Sequence, residues 1–220
     1  MIDFEKARIN MVDCQIRPND VTAHDVLEAF ASVPREAFVS AAQKPLSYID
    51  EDILLQDGTP PRYLMEAMSM SRLMQLAEIT DACIVLDIGC ATGYSTAILS
   101  RLCNSVVAVE SDPDLAERAT ANLLSPDYDN AAVVNGPLEL GYASEGPYDA
   151  IFVGGAVEVT PETLGQQLKD GGRMVVVEGT GNAGVARLYV REGDIVSGRT
   201  TFNCAVKPLP GFEAKPEFVF

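Results

Sequence analysis

Apolar residues recur at helical spacing in the first third of the chain and gather into short continuous runs after it. Residues 4–11 read as a helix. Thr22 followed by Asp25 reads as a capped start for a second helix, with Val26, Leu27, Phe30 and Val33 on one face. A short helix is expected over Arg35 to Ala42. The turn-rich stretch Gln56-Asp57-Gly58-Thr59-Pro60-Pro61 reads as a linker, and Leu64, Met68, Leu73, Leu76 and Ala77 predict a further helix.

From residue 84 the pattern becomes strand, turn, helix, repeated. Ile84-Val85-Leu86-Asp87-Ile88 is a β-rich run of the kind buried on both faces of a parallel sheet, and Tyr94 to Leu102 reads as helix. Val106 to Glu110 predicts the next strand. Asp112-Pro113 places a cap and an N1 proline at the start of a helix to about Leu124. Strands follow at Ala131 to Asn135, Asp149 to Val153 and Met174 to Val177. Between the last two, Thr160-Pro161-Glu162 predicts a helix to about Lys169, ended by Gly171-Gly172. Ala186 to Arg191 and Ile195 to Thr201 read as an antiparallel hairpin. The expected fold is α/β: a three-layer Rossmann-like domain over residues 1–220 with a mostly parallel twisted sheet of about seven strands. Residues 1–80 form a helical cover and substrate loop, and residues 81–220 the ligand-binding core.

Composition narrows the function. The chain carries 16 Lys+Arg against 32 Asp+Glu, a net charge of −16, so a phosphate backbone is repelled at long range and nucleic acid is not an expected partner. No stretch approaches the roughly 18 apolar residues of a membrane span. Cys14, Cys83, Cys90, Cys103 and Cys204 are odd in number and contain no CxxC pair, which points to a reduced, cytoplasmic protein without a metal site. His24 is the one histidine, so imidazole chemistry is nearly excluded; the expected position is exposed, near a helix start.

The chemistry concentrates in Asp87-Ile88-Gly89-Cys90-Ala91-Thr92-Gly93, a strand ending in an acid and a glycine turn that opens a helix. A dinucleotide fingerprint needs glycine where Ala91 and Tyr94 stand. Asp87 suits a ligand amine instead, and Glu110, 23 residues on at the next strand's tip, suits both hydroxyls of a ribose. Cys90 and Ala91 would wall such a site, and Ser111 follows its acid. Gly154, in the Gly154-Gly155-Ala156 turn, would leave room at the sheet edge.

These motifs resemble those of class I S-adenosylmethionine-dependent methyltransferases. With Arg8-Ile9-Asn10-Met11-Val12, Gln15-Ile16-Arg17-Pro18, Val33-Pro34-Arg35-Glu36-Ala37-Phe38-Val39 and the later Tyr148-Asp149-Ala150-Ile151-Phe152-Val153 and Gly171-Gly172-Arg173, the chain resembles the protein-L-isoaspartate O-methyltransferase family over roughly residues 4 to 180. The resemblance implies S-adenosyl-L-methionine as cofactor and an isoaspartyl-containing protein or peptide as acceptor. A carboxylate acceptor is already ionised, so placement and water exclusion carry the reaction without a histidine base.

Two segments depart from the family pattern. Arg62-Tyr63-Leu64-Met65 stands where the family has Gln-Thr-Ile-Ser, so Met65 replaces the loop serine; Ser69 and Ser71 lie out of register. Arg62, Tyr63 and Met65 become the substrate-loop candidates, with Arg62 a possible partner for an acceptor carboxylate or a solvated surface cation, and Met65 partly exposed. Gly136-Pro137-Leu138 stands where the family has Gly-Asp-Gly; Leu138 is expected to offer an amide and apolar surface to adenine. Alternative readings keep the cofactor with a different substrate, a small carboxylate or another protein group, or keep binding without catalysis.

Overall fold

The computed structural model describes residues 2–214. Helix α1 (Phe4–Met11) starts at Asp3, whose carboxylate accepts the Lys6 N–H at 3.0 Å, and passes into a wider π-helical turn at Val12–Ile16. Helix α2 (His24–Ser32) buries Val26, Leu27, Ala29 and Phe30. Its cap is not the Thr22 side chain. The Gln75 amide oxygen accepts the Thr22 and Ala23 N–H groups at 2.7 and 2.9 Å, so the chain leading into α2 is held from a helix more than 50 residues away.

The helix expected over Arg35 to Ala42 is a single 3-10 turn, Arg35–Ala37. Arg35 is fully buried and donates Nε to the Ser47 carbonyl and NH2 to the Met65 carbonyl, both at 2.8 Å, so it ties together loops that a continuing helix would separate. The expected linker is the turn of a small hairpin, β1 (Ile53–Gln56) with β2 (Arg62–Leu64), which adds a β element to the expected helical cover. Leu64 therefore lies in a strand, and α3 (Ala67–Ala77) begins three residues later.

The main sheet has seven strands: β3 (Ile84–Ile88), β4 (Ser105–Glu110), β5 (Ala131–Asn135), β6 (Tyr148–Val157), β7 (Leu168–Glu178), β8 (Val185–Glu192) and β9 (Ile195–Asn203). Their order is β5-β4-β3-β6-β7-β8-β9, parallel through β7 and antiparallel at the terminal hairpin. β6 and β7 are longer than their apolar runs. The expected helix up to Lys169 shrinks to α6 (Glu162–Gly165), because Leu168 already pairs with Tyr148, and Gly171-Gly172 lies inside β7.

Helix α4 (Tyr94–Ser100) is buried along its whole length between the sheet and the amino-terminal cover. Phe30 and Phe38 meet the Tyr94 ring edge-on at centroid distances of 6.2 and 5.5 Å, and one apolar cluster runs from Met11 and Phe30 to Val85, Phe152 and Val175. Helix α5 (Pro113–Asn122) has the expected cap: the Asp112 carboxylate accepts the Asp114 and Leu115 N–H groups at 2.9 and 3.0 Å.

Candidate active site

The carboxyl ends of β3, β4 and β6 converge, as neighbouring parallel strands must, and the expected ligand residues gather there. Asp87 is fully buried on β3. Its Oδ2 accepts the Ser95 and Thr96 hydroxyls at 2.8 and 2.7 Å, while Oδ1 has no partner among the described residues. Burial, opposed by those two hydroxyls, pushes its pKa up to about 6, and the Glu110 charge adds to the rise. A cation beside Oδ1 would offset that cost.

Backbone geometry explains the turn. Gly89 and Gly93 have φ of +80° and +93°, where side chains are strained, and Ala91 also lies at positive φ. This presents the Ala91 N–H to Glu110 Oε2 at 2.8 Å. Cys90 is buried, and desolvation beside Asp87 and Glu110 drives its thiol pKa well up, leaving it a wall rather than a nucleophile. Gly154 on β6 passes so close to β3 that a Cβ there would lie 3.1 Å from the Gly89 carbonyl oxygen.

Glu110, also fully buried, is met by an unexpected partner. Arg62 is 5% exposed, neither solvated nor facing outward; its guanidinium grips both carboxylate oxygens, NH1 to Oε1 and NH2 to Oε2, the latter at 2.7 Å. The Asp112 N–H adds a bond to Oε1 at 3.0 Å, and the Ser111 hydroxyl lies 3.4 Å from the same oxygen. Met65 is buried rather than partly exposed, and its carbonyl serves Arg35. Tyr63 is half-buried, with the Lys207 ammonium 5.4 Å from its ring. Ser69 and Ser71 bond within their own helix region, to Glu66 at 2.5 Å and to the Met68 carbonyl at 2.9 Å.

After β5, Gly136 donates its N–H to the Glu110 carbonyl at 3.0 Å, and Pro137 is exposed. The Leu138 side chain is wholly buried in the second apolar cluster with Leu164 and Phe212. Several neighbours escaped the sequence reading. The segment after β9 returns over the sheet edge, where the Lys207 carbonyl accepts the Ala156 N–H at 2.9 Å and Leu209 covers Gly89 and Gly155. Asp52, raised in pKa by burial despite the Glu66 N–H that it accepts, lines the same spot. The cavity bounded by Asp52, Arg62, Tyr63, Met65, Gly154 and Lys207 to Leu209 holds about 10 Å³, room for about one water.

Residues 7–213 match the model of the family "Protein-L-isoaspartate(D-aspartate) O-methyltransferase (PCMT)". A protein-L-isoaspartate O-methyltransferase of Koribacter versatilis is 31% identical over 94% of this chain and 92% of its own, and one of a Roseiflexus species is 34% identical over 95% and 93%. Among solved structures, a protein-L-isoaspartate O-methyltransferase superposes with a TM-score of 0.81 at 26% identity, covering 94% of this chain and 66% of that one. A putative enzyme of the same type from Plasmodium falciparum, solved with S-adenosyl-L-homocysteine, shares the fold with a TM-score of 0.74 at 18% identity, over 91% and 97% of the two chains.

Proposed function

The chain belongs to the protein-L-isoaspartate(D-aspartate) O-methyltransferase family, and from that membership we propose that it methylates the carboxylate of isoaspartyl residues in damaged proteins, using S-adenosylmethionine, in the cytoplasm. Asp87 carries the reading: a wholly buried carboxylate with one unpartnered oxygen, set at the head of a glycine turn, fits the ammonium of that cofactor. The residue types suit the rest of that cofactor, with Glu110 held by Arg62 in the structure. Asp87 Oδ1 would take the amine and Glu110 the ribose hydroxyls, Gly89, Cys90, Ala91 and Gly93 would form the floor, Ser111, Gly136 and Pro137 would flank the nucleoside, and Gly154 would leave space beside the donor. When bound, the cofactor supplies an electrophilic methyl on a sulfonium.

The chain's own contribution is placement. An ionised carboxylate needs no base, and neither Met65 nor any histidine supplies one. Lys207, exposed beside Tyr63 at the rim, is the cation that offsets the −16 charge for an anionic acceptor. Met65 in place of a hydroxyl residue favours a second reading in which the same cofactor serves another small carboxylate.

The test is calorimetric binding of S-adenosyl-L-homocysteine to the wild type and to Asp87→Asn. Loss of the charged bond weakens binding by ~1.5–3 kcal/mol, tenfold or more. Equal affinity in the two proteins contradicts the assignment of Asp87.

A further inference from the structure

Glu110 has no acceptor capacity to spare. A carboxylate offers about four lone-pair sites. Here Oε1 takes the Asp112 N–H and one guanidinium N–H, with the Ser111 hydroxyl at 3.4 Å, and Oε2 takes the Ala91 N–H and the other. The two backbone donors belong to the turn and to the strand tip, so they are fixed. The two guanidinium donors come from β2, a strand of a two-stranded hairpin outside the main sheet. Such a hairpin has little stability of its own.

The same hairpin is pinned a second time close by. Gln56, the last residue of β1, donates Nε2 to Asp112 Oδ2 at 2.7 Å. One pin falls on Glu110 at the end of β4 and the other on Asp112 at the start of α5, and between Gln56 and Arg62 lies the exposed turn of residues 57–60. A cis-diol presents two O–H donors to a carboxylate, much as a guanidinium fork presents two N–H donors. The two cannot share Glu110.

We propose that Arg62 is an internal stand-in for the ribose diol, so that a nucleoside ligand enters only by exchanging for the guanidinium and releasing the β1–β2 hairpin from the end of β4. The inference rests on the cofactor reading above. It makes Arg62 a positioning residue that sets cofactor affinity.

The experiment measures S-adenosyl-L-homocysteine affinity by calorimetry for the wild type, Arg62→Ala and Gln56→Ala, with hydrogen exchange of residues 53–64 followed in the wild type as ligand is added. Exchange predicts at least tenfold tighter binding by Arg62→Ala, a smaller gain for Gln56→Ala, and faster amide exchange in the hairpin on ligand addition. Affinity in Arg62→Ala equal to or below a measurable wild-type value overturns the stand-in role and leaves the cofactor reading intact. Absence of binding in both proteins overturns the cofactor reading and the exchange with it. If Arg62→Ala lacks a cooperative thermal transition, Gln56→Ala and the wild-type hydrogen exchange decide: unchanged affinity together with unchanged or slower hairpin exchange refutes the proposal.

Discussion

Leu209 lies against Gly89: a Cβ built on the glycine would sit 2.8 Å from the leucine Cδ2. The contact links the chain's last described segment to the first turn of the ligand site, across 120 residues of sequence. Leu209 is 6% exposed and packs in one cluster with Leu138 and Phe212. Leu209→Ala should cost about 2–4 kcal/mol of stability through lost burial and the cavity left behind, read as a lower urea midpoint with unchanged slope.

Asp87 makes stability depend on pH in an unusual direction. Its folded pKa of about 6 lies above the ordinary 3.8, so the folded state binds the proton more tightly than the unfolded one. Its contribution is therefore most favourable below the ordinary value and is lost as pH rises to about 6, a change of roughly 3 kcal/mol for two units. Asparagine keeps an acceptor for Ser95 and Thr96 without the charge. Asp87→Asn should melt higher than the wild type at pH 7.5, and the gap should close toward pH 4; a variant that melts lower at neutral pH contradicts the desolvation argument.

The same carboxylate gives ligand binding the opposite slope. Only ionised Asp87 attracts an ammonium, so affinity for S-adenosyl-L-homocysteine should be flat above pH 7 and fall toward tenfold per unit below about pH 6. Calorimetry at pH 5.0 and 7.5 reads this, and Asp87→Asn should flatten the profile.

Arg35 holds the loops around the site. Its guanidinium bonds the Ser47 and Met65 carbonyls and lies 4.9 Å from the centre of the Tyr94 ring. Arg35→Ala leaves buried carbonyls without donors and should cost about 3 kcal/mol or more. Lysine should rescue little, because one ammonium cannot reproduce the planar fork. Limited proteolysis between residues 40 and 65 should accelerate in both variants.

What could be read from the sequence was local or periodic. The strand Ile84–Ile88 is apolar except for Asp87 and announces a central parallel strand, and Asp112-Pro113 caps α5 as its residue types require. What could not be read was long-range. Gln75 holds the entry to α2 from a distant helix, Arg35 reaches inward to two loops instead of continuing a helix, and Leu168 enters the sheet because Tyr148 is there to pair with it. At the site, Asp87 and Glu110 carried a spacing signal. Arg62 read as a loop cation because its partner is 48 residues away, and the plain stretch around Leu209 gave no pattern that would set it over a glycine turn.

The proposed activity is tested most directly by incubating the purified protein with methyl-labelled S-adenosylmethionine and a pair of peptides identical except for isoaspartate or aspartate at one position. Isoaspartyl methylation predicts base-labile label on the isoaspartyl peptide alone. Absence of label from both peptides, under conditions where S-adenosyl-L-homocysteine binding is measurable, would contradict it and leave a different acceptor or cofactor binding without catalysis.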